Sequence, residues 1–276
     1  MSAGTADYTI DDLRQLMARL RDPDDGCPWD RKQTMRSVVR HTLEECHELA
    51  DAIEHDDIEH IREELGDVLF QVVFYARIAE ENGQFDLSSV IDDLVGKLLR
   101  RHPHVFPDGT LPSRRRDGGG VGESEIKERW EAIKATEREQ RQRDSLMDDI
   151  PLALPALARA GKLQKRAARV TFDWYHSDQV LDKVAEELGE LQSALAQRSP
   201  DRIEDEAGDV LFTMVNYLRH VGVDAESALR RGNRKFERRF RRMEILAAEA
   251  KRSLEELDAS GLDGLWQRVK SEESLG

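Results

Sequence analysis

Cysteine is almost missing: Cys27 and Cys46 are the only two in 276 residues. Two thiols cannot staple a fold together, and without a C-x-x-C pair there is no tetrahedral zinc site to organise one. This usage fits a reducing compartment, so a cytoplasmic protein is expected. Long apolar runs are missing as well, since nothing reaches the roughly 18 residues of a membrane-crossing helix. Met1 to Asp11 shows no basic segment followed by an apolar one, so neither a secretory leader nor a membrane anchor is expected. Positive charge is in deficit, with 42 Lys and Arg against 56 acids and a net charge of −14. Nucleic-acid backbones are held by excess positive charge, so no direct nucleic-acid binding is expected. An acidic protein that handles phosphates needs metal ions between the two.

Strand-type alternation is absent over any useful length, and helical spacing takes its place. Apolar residues recur at three- and four-residue intervals over 38–53, 58–79, 87–101, 180–196, 203–221 and 225–251. Each such segment has one stripe to bury, which predicts an all-α fold of helices packed on helices.

An internal duplication is the most informative feature present. Placing 43–77 over 185–219 gives a gap-free match: Glu44-Glu45-x-x-Glu48 lies over Glu186-Glu187-x-x-Glu190, and Glu64-x-Gly66-Asp67 over Glu206-x-Gly208-Asp209. From Glu45 to Glu64, and from Glu187 to Glu206, the separation is the same 19 positions. The match continues through Lys97, Arg101 and Trp130 against Lys235, Arg239 and Trp266. Two tandem helical lobes are therefore expected, at 8–137 and 151–276, joined by a linker at 138–150 that ends at Pro151. A charged helix is expected from Glu125 to Arg143, and a loop with Arg114-Arg115-Arg116 and Gly118-Gly119-Gly120 inside the first lobe.

Residues three or four apart share a helix face, so Glu187 projects with Glu190, and Glu206 with Asp209. Two such helices packed antiparallel gather four carboxylates at one level, where their repulsion demands cations or protons. A Glu-Glu pair on a helix is ordinarily a solvated face, but four acids at identical spacing in two copies are not accounted for that way. Oxygen ligands without His or Cys suit a hard cation, and magnesium is the usual one beside phosphates.

Glu-Glu-x-x-Glu followed by Glu-x-x-Asp resembles the signature of all-α nucleoside triphosphate pyrophosphohydrolases. With Cys27-Pro28-Trp29-Asp30, Arg100 to Phe106 and the duplication, the chain is most similar to the MazG family. That resemblance implies hydrolysis of (d)NTPs to (d)NMP and pyrophosphate, with magnesium or its substitute manganese as cofactor. It also implies a homodimer whose lobes form four-helix-bundle units, and a role in upkeep of the nucleotide pool. By the same resemblance, Glu187, Glu190, Glu206 and Asp209 are metal ligands, and Glu186 joins Glu187 and Glu190 as a catalytic carboxylate. Lys183, Arg202, Asn233, Lys235, Arg239 and Trp266 match nucleotide-contacting positions. Glu45, Glu48, Glu64 and Asp67 form a second candidate metal set.

The lobes are not equivalent. His41, His60 and Val95 stand where the second lobe has Lys183, Arg202 and Asn233. Imidazole is mostly neutral at pH 7, so phosphate binding is expected to be weaker in the first lobe and catalysis to reside in the second. A nonenzymatic dimeric scaffold and an enzyme restricted to dUTP or an alarmone stay open. Base selectivity turns on the shape of the pocket around residues such as Phe172 and Trp174.

Overall fold

The computed structural model describes residues 8–114, 122, 125–126, 129–130, 132–133, 136–137 and 145–274. Arg115, Arg116, the glycines at 118–120, much of the charged helix expected at 125–143, and 138–144 of the expected linker lie outside the described residues. The regular elements among the described residues are all helical, and the chain divides into units at 1–137 and 138–276. No helix among the described residues is long and apolar enough to cross a membrane.

The N-terminal unit contains α1 (Ile10–Leu20), α2 (Met35–Glu54), α3 (Ile58–Glu81) and α4 (Leu87–Arg101). Each start is written in the sequence as an oxygen-bearing cap. Thr9, Thr34, Asp57 and Asp86 accept from the backbone N–H three residues on, satisfying a donor that the first turn leaves open. Asp56 turns the chain between α2 and α3 with φ 55, a left-handed conformation that Asp tolerates better than most residues. The result is a tight antiparallel hairpin. Met17, Val38, Val73, Phe74 and Ile78 form its core against α1, each such side chain contributing about 1.5–3 kcal/mol by burial.

The C-terminal unit contains α5 (Ala156–Ala167), α6 (Ser177–Gln197), α7 (Pro200–His220), α8 (Ala225–Glu249) and α9 (Ala259–Ser274). Arg198 repeats the left-handed turn with φ 53, and Pro200 opens α7 at a position where its missing N–H costs nothing. α6 and α7 therefore form the second copy of the α2–α3 hairpin. Along α6 the buried residues are Val180, Val184, Glu187 and Ala194. Their spacing is that of one helical stripe. A carboxylate thus occupies a position in the seam where an apolar side chain is the ordinary choice. The α8–α9 pair has its own core of Met243, Leu246 and Val269, with Trp266 packed against it.

Candidate active site

The turns fix which acids meet. Glu190 and Glu206 lie eight and seven residues from the 198–199 turn, so antiparallel packing sets them opposite each other; Glu48 and Glu64, each eight residues from Asp56, are placed in the same way. One helical turn further from the bend in sequence space, Glu187 shares its face with Glu190 only three residues away. Ligand oxygens of Glu187, Glu190 and Glu206 lie within 4.8 Å of one another, as do those of Glu45, Glu48 and Glu64. Either triplet can hold a metal ion. Asp209 and Asp67, three residues beyond Glu206 and Glu64, are exposed on the same helices and stand outside these tight triplets.

The electrostatics carry the mark of crowded anions. A hydrogen bond shared with Glu187 raises the Glu190 carboxyl above its ordinary value, with burial and the charges of Glu187 and Glu206 adding to it. Burial raises Glu45, and the charges of Asp67, Glu48, Glu64 and Glu44 act in the same direction. Glu187 is 6% exposed and Glu64 7% exposed, so water does little to relieve either. Glu64 Oε2 is buried with no hydrogen-bond partner among the described residues. A carboxylate set with an orphaned buried oxygen and raised protonation is one that fits a divalent cation.

Protein cations already stand beside these acids in the C-terminal unit. Lys183 Nζ lies 2.8 Å from Glu186 and 2.9 Å from Glu187, and those hydrogen bonds raise its pKa further. Arg202 lies 3.4 Å from Glu206. In the N-terminal unit the aligned pairs are His41 with Glu44 at 3.5 Å and His60 with Glu64 at 2.7 Å.

The remaining candidates form a second group on α8 and α9. Asn233 and Lys235 are exposed on α8. Arg239 donates to Glu273 at 2.8 Å and lies over the Trp266 ring at 5.6 Å, while Phe236 flanks the same ring at 5.5 Å. Arg238 also reaches Glu273, and Arg242 reaches Glu272, so this basic face is covered by carboxylates of α9.

Asp173 belongs to a network that the sequence did not reveal. It accepts from Arg219 at 2.6 and 2.7 Å and pairs with His220 Nε2 at 2.9 Å. Burial works to raise its carboxyl, but hydrogen bonds from Arg219 and His220 outweigh this and hold it below the usual range. The network ties the segment before α6 to the end of α7.

Duplicated helical hairpins that each converge three carboxylates in a half-dry seam define a class of all-α protein with acidic clusters that could hold a metal ion. Residues 33–106 and 176–243 match the MazG nucleotide pyrophosphohydrolase domain, and the chain belongs to that family. It is 46% identical over 266 residues to the nucleoside triphosphate pyrophosphohydrolase of Escherichia coli strain K12, covering 96% of this chain and 98% of that protein. It is 42% identical to the nucleoside triphosphate pyrophosphohydrolase/pyrophosphatase MazG of Thermotoga maritima, covering 96% and 97%.

Proposed function

We propose that this protein is a divalent-metal-dependent nucleoside triphosphate pyrophosphohydrolase, releasing (d)NMP and pyrophosphate from (d)NTPs, ATP included, in upkeep of the cytoplasmic nucleotide pool. The observation that carries the reading is the convergence of Glu187, Glu190 and Glu206 within 4.8 Å in a chain of this family. These three carboxylates, with Asp209 one turn on, hold magnesium, or manganese in its place. When bound, the ion supplies positive charge to the phosphate oxygens and lowers the pKa of a nearby water.

The chain's own residues do the rest. Lys183 and Arg202 exchange their present carboxylate partners for phosphate oxygens, meeting charge that develops as the anhydride breaks. Glu186, exposed and next to Glu187, takes the proton of the attacking water. The water oxygen bonds to the α phosphorus as the bond to pyrophosphate breaks. Asn233, Lys235, Arg239 and Trp266 form the second nucleotide-contacting group.

The proposal extends to the assembly. Leu188, Leu195, Leu211 and Met214 leave an apolar face exposed on the α6–α7 hairpin. A second copy covering that face makes a four-helix unit of two hairpins, and a homodimer is the expected state. Catalysis is assigned to the C-terminal lobe, 151–276, with 8–137 as the other lobe and 138–150 as the linker.

Pyrophosphate release from an NTP panel, with magnesium and with chelator, tests the function. Magnesium-dependent release on at least one nucleotide is expected. Absence of release on every nucleotide overturns the reading in favour of a scaffold.

A further inference from the structure

The internal duplication runs past the two tryptophans to an acid. Glu137 stands seven residues after Trp130, and Glu273 seven residues after Trp266. In the N-terminal unit Glu137 is the carboxylate on Arg101, with Arg100 at 3.8 Å. In the C-terminal unit Glu273 takes the aligned arginines, Arg238 at 2.9 Å and Arg239 at 2.8 Å. An arginine pair and the glutamate that follows the tryptophan are thus joined in both units. Hydrogen bonds from Arg239 and then Arg238 hold the Glu273 carboxyl below the usual range, so it stays ionised with an oxygen for each arginine.

Anchoring α9 does not account for this arrangement. That helix is already seated by Leu262, Leu265, Trp266 and Val269 against Met243 and Leu246 of α8. Glu272 adds a second tie, to Arg242 at 2.9 Å. An ion pair partly open to water adds little stability to such a contact.

What Glu273 does is orient a guanidinium. Arg239 donates to it through Nε and lies over the Trp266 ring at 5.6 Å, so a carboxylate at one edge and a π-face beneath hold the group. The two terminal nitrogens of Arg239 make no hydrogen bond among the described residues. That fork is the part of an arginine that matches a pair of phosphate oxygens. Arg101 differs, since it gives Glu137 both Nε and Nη2 and so engages part of its fork. The same parts leave a phosphate-ready arginine in the C-terminal unit and a more fully paired one in the N-terminal unit.

We propose that Glu273 is a positioning residue, which acts through Nε of Arg239 to hold that guanidinium on Trp266 with its terminal fork available to phosphate oxygens of the nucleotide. The inference rests on the reading of Arg239 as a nucleotide contact. Without Glu273 the arginine is still present but turns about its side-chain torsions, and part of each binding event goes into ordering it.

The test is a double-mutant cycle on the full chain, with magnesium and the NTP that the wild type hydrolyses best. Glu273→Gln keeps the shape but supplies one acceptor oxygen where two arginines need one each. Arg239→Met removes the guanidinium. Glu273 is exposed on the last turn of α9, outside the core, so its substitution does not threaten the fold. Glu273→Gln is expected to raise KM about tenfold with kcat little changed, the worth of one good hydrogen bond made in binding. It is expected to add nothing once Arg239→Met is present. Glu272→Gln, which breaks the neighbouring tie between the same helices, is expected to leave KM unchanged. Equal rises for Glu272→Gln and Glu273→Gln overturn the proposal in favour of a tie between helices, and so does a Glu273→Gln effect that persists beside Arg239→Met. An unchanged KM in Glu273→Gln overturns it too. If Arg239→Met alone leaves KM as it was, Arg239 is no nucleotide contact and there is nothing for Glu273 to position. A wild-type protein inert on every NTP shows instead that the underlying reading has failed, and the positioning role falls with it.

Discussion

His60 Nε2 lies 2.7 Å from Glu64 Oε1, one turn apart on α3, at the position where α7 sets Arg202 beside Glu206. An imidazole offers its acid a single N–H at that contact, whereas the guanidinium brings a fixed charge and a fork of donors. With Lys183 replaced by His41 as well, the N-terminal acids keep the geometry for a cation and lose two permanent charges for phosphate. Glu187→Gln with Glu190→Gln is therefore expected to lower pyrophosphate release by at least about 100-fold, since even outer-shell partners of metal ligands are worth 10–100-fold. Glu45→Gln with Glu48→Gln is expected to leave most of it. The reverse pattern in a steady-state assay would move catalysis to the N-terminal lobe.

Raised carboxyls make metal binding a proton-linked event. Glu190 and Glu45 both hold their protons to higher pH than ordinary glutamates. In the metal-free protein, the stability linked to such a group is present at low pH and is lost as pH rises through the raised value. A cation reverses this by taking the place of the proton. Magnesium should therefore raise the melting temperature more at neutral pH than in mild acid, and its binding there should release protons. Titration calorimetry in two buffers of different ionisation enthalpy measures that release, and equal heats in both would count against it.

The helices that carry the acids were legible because each has an uninterrupted stripe and a duplicate. The periodic segments at 38–53, 58–79 and 203–221 correspond to α2, α3 and α7 with boundaries only a few residues apart. The shorter helices left weaker traces. α5 carries Gly161 in its interior and α9 carries Gly261 and Gly264, residues that weaken a helical pattern without preventing a packed helix. Packing does not require glycine at 161, since a Cβ there would meet Val215 at 3.7 Å, an ordinary contact. The packing contacts of Gln164 were not legible at all. They depend on how α5 settles on α7, 48 residues away in the Gln164 to Phe212 bond, and no local spacing encodes that register.

Asp173 provides a stability test in the C-terminal unit. Its side chain is 20% exposed and holds both Arg219 and His220. Asp173→Asn removes the charge and leaves Arg219 with Asn216 alone, an expected loss of about 1–3 kcal/mol. Because the carboxyl is held below its usual range, its contribution is present at neutral pH and disappears as pH falls through the lowered value. The difference between wild type and variant in urea unfolding should therefore shrink in acid. A difference that is constant with pH would mean the carboxylate charge is not what stabilises the network.

Arg21 makes the corresponding case for the N-terminal unit. Its side chain is 7% exposed, donates to Glu81 at 2.7 and 3.1 Å, and reaches the Asp30 and Gln33 carbonyls while lying 5.2 Å over the Phe74 ring. It thereby binds the end of α1 to the far end of α3 and to the segment before α2. Burial works against the Glu81 carboxylate, but hydrogen bonds from Arg21 and Arg77 hold its pKa down. Arg21→Met takes a donor from the Asp30 and Gln33 carbonyls, the former keeping the Gln33 N–H, and leaves Glu81 only Arg77, so a loss near the lower end of the roughly 3–5 kcal/mol for breaking a buried pair is expected. Adding Glu81→Leu removes the stranded charge and should recover part of that loss. The double-mutant cycle decides it: strictly additive effects would mean that Arg21 acts through the carbonyls and the Phe74 face, and not through Glu81.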